Sequence, residues 1–535
     1  MQGRNSTMLN NKYFLYITGF FSGMSVMAVE LGASRLLAPY FSSSQIVWTI
    51  IIGTIMIAMA LGNIWGGRSA DKNPDPGKLY TRILIAAVWI AAIPFLGKYI
   101  IIGISLVLAM FVKTNFLIWA SLVSCLVIFV FPLMLLGTVT PSLVKYTVND
   151  LSKNGETVGR LSALNTIGSI IGTFLPTFVT IPTVGTAATF IIFASVLAII
   201  SIVYFISIKE KMIKCSVSII LIAVFCVLSL QSGFAFWEKD LVYEGESIYN
   251  YLQVKEDDTK VILSTNVLAG VQSIMRKDDK LTGMYYDYAL AAPYMAGIAN
   301  KSENDILILG LGSGTYASLC TEYFINVEIK GVEIDQKIAN LAKEYFALPD
   351  SVKVQVYDGR AYLNTDQKYD VIMVDAYQDI TIPFQMSTVE FFQLVKDCLK
   401  EDGVMVVNMN MRTDKEGSIN DYLEDTIASV FPEVYTVNVG TGTNTELFAS
   451  TNKLMIEQLG IAVDDISDYK LKQMMKRVED NLEKVIGGTK ILTDDKAPVE
   501  VLGMRVIDDI IGDELEYYQD ILKSGDWNKI METLN

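Results

Sequence analysis

The stretch Ile306-Leu307-Ile308-Leu309-Gly310-Leu311-Gly312-Ser313-Gly314-Thr315 decides the fold of the second half of the chain. Four apolar residues run into a glycine-rich turn, and residues 315–324 then have the pattern of a helix. Glycine allows a tight turn and a close approach of the backbone to a ligand, because a Cβ would be in the way. The stretch therefore predicts the strand, loop and helix that begin a nucleotide-binding α/β domain.

Three further predicted strands each end in a carboxylate residue. These strands and the residues that follow them are 327–332 with Glu333, 352–357 with Asp358 and Gly359, and 369–374 with Asp375. Parallel strands put their carboxyl ends at one edge of a sheet, so we expect these groups around one ligand. Glu333 follows Gly312 by twenty-one positions, a spacing typical of a carboxylate that binds ribose hydroxyls. The alternative is a doubly wound domain with acids at its strand ends by chance.

Charge divides the chain into two parts. Of 43 Lys and Arg and 58 Asp and Glu in 535 residues, residues 1–234 hold 15 and 6, and residues 235–535 hold 28 and 52. The acidic second part repels phosphate backbones, so we expect no nucleic-acid partner. It would attract a cation such as a polyamine, although solubility alone explains the acidity equally well.

The chain contains no histidine and five cysteines. The absence of histidine excludes His-based acid–base catalysis, Ser/His triads and His-ligated zinc. No pair of cysteines has the spacing of metal ligands. We therefore expect no metal.

Residues 1–234 carry apolar runs long enough to cross a lipid bilayer. These runs are 13–34, 45–66, 80–97, 116–137, 161–181, 186–207 and 214–232, and the shorter run 99–112 is an eighth span, a re-entrant piece or an interfacial helix. Gly62-x-x-x-Gly66 and Gly168-x-x-x-Gly172 predict close helix packing. The pattern predicts a multi-pass protein of the cell membrane.

The orientation in the membrane stays open at this stage. Positive charge marks cytoplasmic loops, which places residues 67–82, 138–160 and 208–214 inside. Seven spans would then leave the soluble domain outside, whereas an eighth at 99–112 would bring it inside. Adenosine chemistry favours a cytoplasmic soluble domain.

The sequence predicts four regions. They are a transmembrane helical domain of seven to eight spans at 1–234, a small antiparallel β region with a connecting helix at 235–300, a Rossmann-like nucleotide-binding α/β domain at 301–450, and a C-terminal helical extension at 451–535. The β region has expected strands at 247–255, 260–265 and 270–276.

Residues 243–450 resemble the spermidine synthase (polyamine aminopropyltransferase) family. The motifs that carry the resemblance are Tyr249-Asn250 for the family's Tyr-Gln, Tyr285-Tyr286-Asp287 for its Tyr-His-Glu, the glycine loop 310–314, Val332-Glu333-Ile334-Asp335, Asp358-Gly359, and Asp375 at the start of the family's Asp-Ser-Ser-Asp segment. The whole chain is similar to bacterial proteins that fuse a multi-span, transporter-like half to such a domain.

The resemblance implies that the Rossmann-like domain is of the S-adenosylmethionine-dependent transferase type and has a site for a sulfonium donor and an amine. Decarboxylated S-adenosylmethionine, or S-adenosylmethionine itself, would lie against Gly310, Gly312, Ser313, Gly314, Glu333, Asp358 and Gly359. An amine or polyamine would lie against Tyr249, Asn250, Tyr286, Asp287, Tyr377 and Gln378, and Asp375 would remove its proton. Aromatic rings beside a carboxylate also suit an organic ammonium by cation–π contact. A homodimer is compatible with the resemblance.

Two positions differ from the family's pattern. Ser313 stands where the family has an aspartate that meets the donor amine, and Gln378 stands where it has a second acceptor aspartate. The function predicted first is a membrane-bound aminopropyltransferase that releases methylthioadenosine. The alternatives are a methyltransferase that uses S-adenosylmethionine and a transporter whose soluble domain senses polyamine or nucleoside without catalysis.

Overall fold

The computed structural model describes residues 12–147, 154–267, 271–298, 301–376, 382–413, 415–440 and 442–524. Residues 12–231 form a bundle of helices, and an α/β part follows from residue 241. The bundle helices are α1 (Lys12–Phe41), α2 (Gln45–Lys72), α3 (Pro76–Ala109), α4 (Phe116–Gly137), α5 (Val139–Thr147), α6 (Asn154–Leu175), α7 (Ile181–Ile208) and α8 (Met212–Gln231), with a π-helical turn at Pro176–Thr180.

Small residues bring pairs of these helices into close contact, as the two Gly-x-x-x-Gly patterns predict. A Cβ on Gly168 or Gly172 would lie 2.0 or 2.1 Å from the carbonyl oxygen of Phe20 or Met24. A Cβ on Gly62 would lie 2.3 Å from the carbonyl oxygen of Met134. Any side chain larger than hydrogen would therefore push these helices apart.

Helices α6 and α7 run in opposite directions, although helical backbone continues almost unbroken between them. Along α6, Gly168 and Gly172 meet Phe20 and Met24 in order, so α6 is parallel to α1. Along α7, Phe190 meets Gly32, whereas Phe193 meets Met24, so α7 is antiparallel to α1. The reversal includes Gly185, whose φ of +84° suits glycine and interrupts the helix.

Six segments of the described residues are long and apolar enough to cross a membrane: 12–41, 45–72, 76–109, 116–147, 155–208 and 212–231. The fifth contains the reversal at Gly185, so the bundle has seven helical passes within these ranges. The separate eighth span considered at 99–112 is wrong, because residues 99–109 continue α3 without a break. The residues between Pro94 and Ala109 contain no turn signal strong enough to end the helix.

The β region is a four-stranded antiparallel sheet in the order β1-β2-β3-β4, with β1 at Leu241–Glu246, β2 at Tyr251–Glu256, β3 at Lys260–Ser264 and β4 at Ser273–Arg276. Strand β1 was not predicted. Its sequence, Leu-Val-Tyr-Glu-Gly-Glu, does not alternate between apolar and polar residues. Residues 247–250 were predicted as strand but form the turn into β2.

The second sheet confirms the predicted Rossmann-like domain. Its eight strands have the order β12-β10-β11-β9-β8-β5-β6-β7, in which β7, β6, β5, β8 and β9 are parallel. The strands are β5 (Asn304–Leu309), β6 (Val327–Glu333), β7 (Lys353–Val356), β8 (Tyr369–Val374), β9 (Leu399–Met409), β10 (Glu433–Asn438), β11 (Thr445–Ser450) and β12 (Glu483–Lys484).

Helices cover both faces of this sheet. They are α9 (Tyr285–Ala289), α10 (Ala291–Met295), α11 (Thr315–Tyr323), α12 (Gln336–Tyr345), α13 (Gly359–Tyr362), α14 (Val389–Asp397), α15 (Ile419–Val430), α16 (Met455–Asp465), α17 (Tyr469–Asp480) and α18 (Val499–Ser524). Helix α18 returns to the bundle, where Glu516 pairs with Lys113 at 2.6 Å and Asp508 accepts a hydrogen bond from the backbone N–H of Phe116 at 3.1 Å.

Candidate active site

The glycine loop 310–314 touches the end of β8. Gly310 has a φ of +87°, and a Cβ on it would lie 2.5 Å from the carbonyl oxygen of Asp375. The backbone N–H of Asp375 in turn donates to the carbonyl of Leu309 at 2.9 Å. The loop and the fourth predicted strand end therefore meet at one edge of the sheet, as their order in the sequence predicts.

Glu333 lies at the end of β6 and holds the glycine loop. Its carboxylate oxygens accept hydrogen bonds from the backbone N–H groups of Gly312 at 2.9 Å and Asp335 at 3.0 Å. Burial raises the pKa of Glu333 to about 7, because a carboxylate loses hydration there. A carboxylate fixed beside the loop can accept hydrogen bonds from neighbouring hydroxyl groups of a ligand.

Ser313 is buried in the same loop. Its backbone N–H donates to the hydroxyl of Ser273 at 3.2 Å, and its own hydroxyl shares a hydrogen bond with that of Thr315 at 3.0 Å. Ser273 belongs to β4, so the β region contributes a side chain to this loop. Position 313 therefore carries no charge toward a ligand.

Each carboxylate oxygen of Asp375 has a side-chain hydrogen-bond donor. One oxygen accepts a hydrogen bond from the hydroxyl of Tyr285 at 2.6 Å, and the other accepts one from the side-chain amide of Asn408 at 2.9 Å. Burial raises the pKa of Asp375 to about 7, and the charge of Glu333 adds to the rise. A carboxylate with this pKa can accept a proton near neutral pH.

Comparisons with known proteins identify the family of the chain. Residues 289–453 match the family described as "Spermine/spermidine synthase domain". A "Probable polyamine aminopropyl transferase" of Bifidobacterium longum (strain NCC 2705) is 53% identical over 341 residues, which are 60% of this chain and 75% of that protein. The chain belongs to the polyamine aminopropyltransferase family.

A second relative supports the same family. A "Polyamine aminopropyltransferase" of Vibrio vulnificus (strain CMCP6) is 30% identical over 230 residues, which are 41% of this chain and 74% of that protein. Among solved structures, a probable spermidine synthase from Corynebacterium glutamicum ATCC 13032 overlaps with a TM-score of 0.37 at 19% identity, over 46% of this chain and 98% of that chain. Membership in the aminopropyltransferase family therefore rests on the two sequence relatives.

In this aminopropyltransferase-family chain, Tyr285 bonds to Asp375 and packs against Tyr286. The rings of Tyr285 and Tyr286 are 4.0 Å apart between centroids. The hydroxyl of Tyr286 donates to the backbone carbonyl of Gln272 at 2.8 Å rather than to Asp375. The family motif predicts Tyr286, and not Tyr285, as the contact of the amine. Two adjacent tyrosines cannot be told apart by sequence until the orientation of their helix is known.

Asp287 faces away from this pair. Its carboxylate accepts hydrogen bonds from the backbone N–H groups of Thr282 at 2.9 Å and Gly283 at 2.6 Å, and from the Thr282 hydroxyl at 2.9 Å. Burial raises the pKa of Asp287. In this structure Asp287 stabilises the turn that precedes α9, and its predicted contact with an amine stays a prediction.

Tyr249 and Asn250 lie where the β region meets the bundle. Their backbone N–H groups donate to the hydroxyl of Ser247, and both residues line a cavity of about 210 Å³ together with Arg35 and Trp48. The structure therefore places them beside bundle helices, with no hydrogen bond to Asp375 or Glu333 among the contacts described.

Asp358 caps the short helix α13. Its carboxylate accepts a hydrogen bond from the backbone N–H of Ala361 at 2.7 Å, and a Cβ on Gly359 would lie 3.4 Å from Met386. Tyr377 and Gln378 lie outside the described residues. Within the described ranges, no group of three or more acidic or cysteine side chains could hold a metal ion.

Proposed function

We propose that this protein transfers an aminopropyl group from decarboxylated S-adenosylmethionine to an amine and releases methylthioadenosine. The observation that carries the proposal is the pair of hydrogen bonds that Tyr285 and Asn408 give to Asp375 beside the glycine loop. Membership in the family and the names of the two relatives support this transfer over other chemistry of the fold.

The reaction needs alignment and one proton acceptor. The amine nitrogen forms a bond to the propyl carbon of the donor while the bond from that carbon to sulfur breaks, and sulfur keeps the electron pair. The nitrogen must give up a proton for this attack, and Asp375 takes it. Tyr285 and Asn408 hold the carboxylate in place, so the proton acceptor is oriented before the amine arrives.

The donor would lie across the glycine loop. Gly310 and Gly314 adopt φ of +87° and +83°, so their backbone can approach the nucleoside closely. Glu333 would exchange its hydrogen bond from Gly312 for those of the ribose hydroxyls, or share them. Asp358 and Gly359 would contact the adenine, and Ser313 would lie beside the amine-bearing end of the donor.

The acceptor would lie on the other side of Asp375. Tyr286 packs against Tyr285 with the two rings tilted by 34°, and it would present its ring to the amine. The remaining proposed contacts are Asp287, Tyr249, Asn250, Tyr377 and Gln378. Aromatic faces attract ammonium groups, so this set favours an amine or polyamine.

We further propose that residues 12–231 lie in a lipid bilayer. Large apolar side chains cover the outside of the bundle, and Ile213, Phe178 and Met56 expose 81%, 68% and 67% of their surface. A soluble protein rarely exposes so continuous an apolar surface. The six apolar segments have the length and composition that a membrane requires.

The test is mass spectrometry of the products of purified protein in detergent. The protein is incubated with decarboxylated or intact S-adenosylmethionine and a panel of mono- and diamines, and Asp375→Asn serves as control. We expect methylthioadenosine together with an amine enlarged by one aminopropyl group, and neither product from the variant. Formation of S-adenosylhomocysteine instead would assign methyl transfer, which the uncharged Ser313 would tolerate because it does not repel the carboxylate of that donor.

A further inference from the structure

Glu446 is a buried acid that the proposed mechanism does not use. It lies in β11 with none of its side chain exposed, and neither carboxylate oxygen has a hydrogen-bond partner among the described residues. Leaving a buried polar group without a partner costs about 1–3 kcal/mol, and more for a charged one. An apolar residue such as the neighbouring Leu447 would avoid this cost, so packing gives no reason for an acid here.

The sheet places Glu446 in a row with Asp375. Glu446 lies directly opposite Asn408 in the pairing of β11 with β9, and Asn408 is the residue that donates to Asp375. Val374 pairs with Val407, so Asp375 and Asn408 extend the same register. Paired residues of adjacent strands point to the same face of a sheet. Asp375, Asn408 and Glu446 therefore share one face.

This face is the one that α9 covers. Phe448, two residues after Glu446, packs in the same hydrophobic cluster as Tyr285 and Val406. Burial raises the pKa of Glu446, and the charge of Asp375 adds to the rise. The two acids therefore interact. The two carboxyl groups thus lie on one buried face of the sheet, on strands that flank β9. No Lys or Arg bonds to either of them among the contacts described.

We propose that Glu446 binds the distal ammonium of a diamine acceptor while Asp375 receives the proton from the attacking nitrogen. This proposal rests on the proposed function and names its acceptor class. The two acids are separated by two strand spacings, about 10 Å between Cα atoms. Linear diamines with about three or four methylene groups span this gap when each nitrogen lies about 2.8 Å from a carboxylate oxygen.

The role of Glu446 is to select amines with two charges. A monoamine would leave Glu446 without a partner, so it gains nothing from this carboxyl group. A diamine turns the unfavourable burial of Glu446 into a charge-assisted hydrogen bond, which is among the stronger contacts in proteins. The expected consequence is a preference for diamines over monoamines of equal length.

The experiment compares Glu446→Gln with the wild type by two measurements. Turnover with decarboxylated S-adenosylmethionine is measured for 1,4-diaminobutane and for butylamine, and calorimetry measures the binding of 1,4-diaminobutane without turnover. We expect the wild type to prefer the diamine by about 10-fold or more in kcat/KM, in line with one charge-assisted contact. Glu446→Gln should lose this preference, so that its kcat/KM for the diamine falls to that for butylamine, and it should bind the diamine about 10-fold more weakly.

Three outcomes would overturn the proposal. A diamine preference that survives in Glu446→Gln, or an equal loss with both amines, would show that Glu446 does not read the second ammonium. Absence of diamine binding to the wild type would also overturn it. Failure of aminopropyl transfer with intact, Glu446-dependent diamine binding would instead reject the proposed reaction alone. If Glu446→Gln does not fold, Glu446→Asp, which keeps the charge but retracts it by one methylene, should show an intermediate preference.

A different observation concerns the two ends of the helical bundle. At one end, Lys211 donates to the carbonyl of Gly77 at 3.1 Å and Lys145 pairs with Asp71 at 2.9 Å. These contacts gather the connections 72–76 and 208–212 at one face, which we call the basic face. In the described ranges its Lys and Arg residues are Lys12, Arg68, Lys72, Lys78, Arg82, Lys145, Arg160, Lys209, Lys211 and Lys214.

The opposite end, the domain face, carries the α/β part. Thr186 follows the reversal at Gly185, and its backbone N–H donates to Glu246 of β1 at 2.7 Å. Lys113, between α3 and α4, pairs with Glu516 of α18 at 2.6 Å. Near this face the bundle contains only three Lys or Arg in the described ranges, namely Arg35, Lys98 and Lys113.

The geometry points to a transferase domain on the non-cytoplasmic side of the membrane. Lys and Arg near helix ends mark the cytoplasmic side of membrane proteins. With seven passes, the basic face and the domain face lie on opposite sides, so a cytoplasmic basic face puts the α/β part outside. This is the reverse of the placement that adenosine chemistry suggests. A transport step must then supply the sulfonium donor to this side.

Labelling of single introduced cysteines in intact cells tests this orientation without any assay of activity. Asp258 is exposed in the turn between β2 and β3, and Asn73 is exposed on the basic face. Each is replaced by cysteine in a separate variant. A maleimide that cannot cross membranes should label Asp258→Cys in intact cells and Asn73→Cys only after permeabilisation. The wild type, whose five cysteines are buried or half-buried, gives the background. The reverse pattern, or labelling of both sites only after permeabilisation, would overturn the inference.

Discussion

Tyr285 donates a hydrogen bond of 2.6 Å to Asp375, and it does so from a helix that follows the β region. The acid stands at the end of β8, and its phenol partner is ninety residues earlier in the chain. This contact ties the connecting helix α9 to the carboxyl edge of the second sheet. The pKa of Asp375, the proposed base, therefore depends on how α9 packs against the second sheet.

Replacing Asp375 by Asn should lower kcat by about 100-fold or more, the range in which a positioned base contributes. The amide cannot accept the proton of the attacking amine. Donor binding, measured by calorimetry, should stay within a few-fold of the wild type. Unchanged turnover would remove Asp375 from the mechanism.

The acidic limb of the pH profile should report Asp375. Burial raises its pKa to about 7, and only the ionised carboxylate accepts a proton. We expect kcat/KM to rise about tenfold per pH unit below pH 7 and to level off above it. The profile is recorded with the acceptor well below its KM, over a pH range in which the protein stays folded. A profile that falls with rising pH would contradict a general base.

Tyr285→Phe should move this limb to higher pH. The phenol hydrogen bond stabilises the charged form of Asp375, so its loss raises the pKa of the carboxyl group. We expect a shift that the pH profile of kcat/KM resolves and a loss of about tenfold in kcat at pH 7. Tyr286→Phe is the matched control, because its hydroxyl bonds to the Gln272 carbonyl and its removal should leave the limb in place.

Glu333→Gln should weaken donor binding more than turnover. The amide has one acceptor oxygen where the carboxylate has two, so at least one of its hydrogen bonds is lost. We expect the KM of the donor to rise about tenfold or more. Asp358→Asn is a useful comparison: asparagine also caps helices well, so a change in donor KM there would reveal a contact with adenine beyond the cap on Ala361.

Gly310→Ala should lower both stability and turnover. The new Cβ would lie 2.5 Å from the Asp375 carbonyl oxygen at a φ of +87°, which alanine adopts unfavourably. A cost of about 2 kcal/mol or more would lower the midpoint of thermal unfolding by several degrees. Gly283→Ala also has a positive φ, but nothing lies within 4 Å of its Cβ, so it should lower the midpoint less.

The local pattern of the chain was sufficient for the fold of the second sheet. Residues 306–309 and 369–374 are apolar runs bounded by turn residues, and both are strands in the structure. The glycines of the loop and the spacing to Glu333 are likewise properties of short stretches. Bundle helices followed from length and apolar content, except that residues 99–109 belong to α3. The break between the predicted spans 161–181 and 186–207 is confirmed by the interruption of helical backbone at Gly185.

The site depended on contacts that no short stretch encodes. Asn408 reaches Asp375 because β9 pairs beside β8, and Glu446 joins them because β11 pairs beside β9 in one register. A shift of one residue in either pairing would turn these side chains to the other face. The sequence by itself determined the first four parallel strands of the second sheet and where the sheet edge lies, because periodicity and turns are local. Tertiary structure alone decided that Tyr285, and not Tyr286, bonds to Asp375, because hydrogen bonds between distant residues exist only after packing.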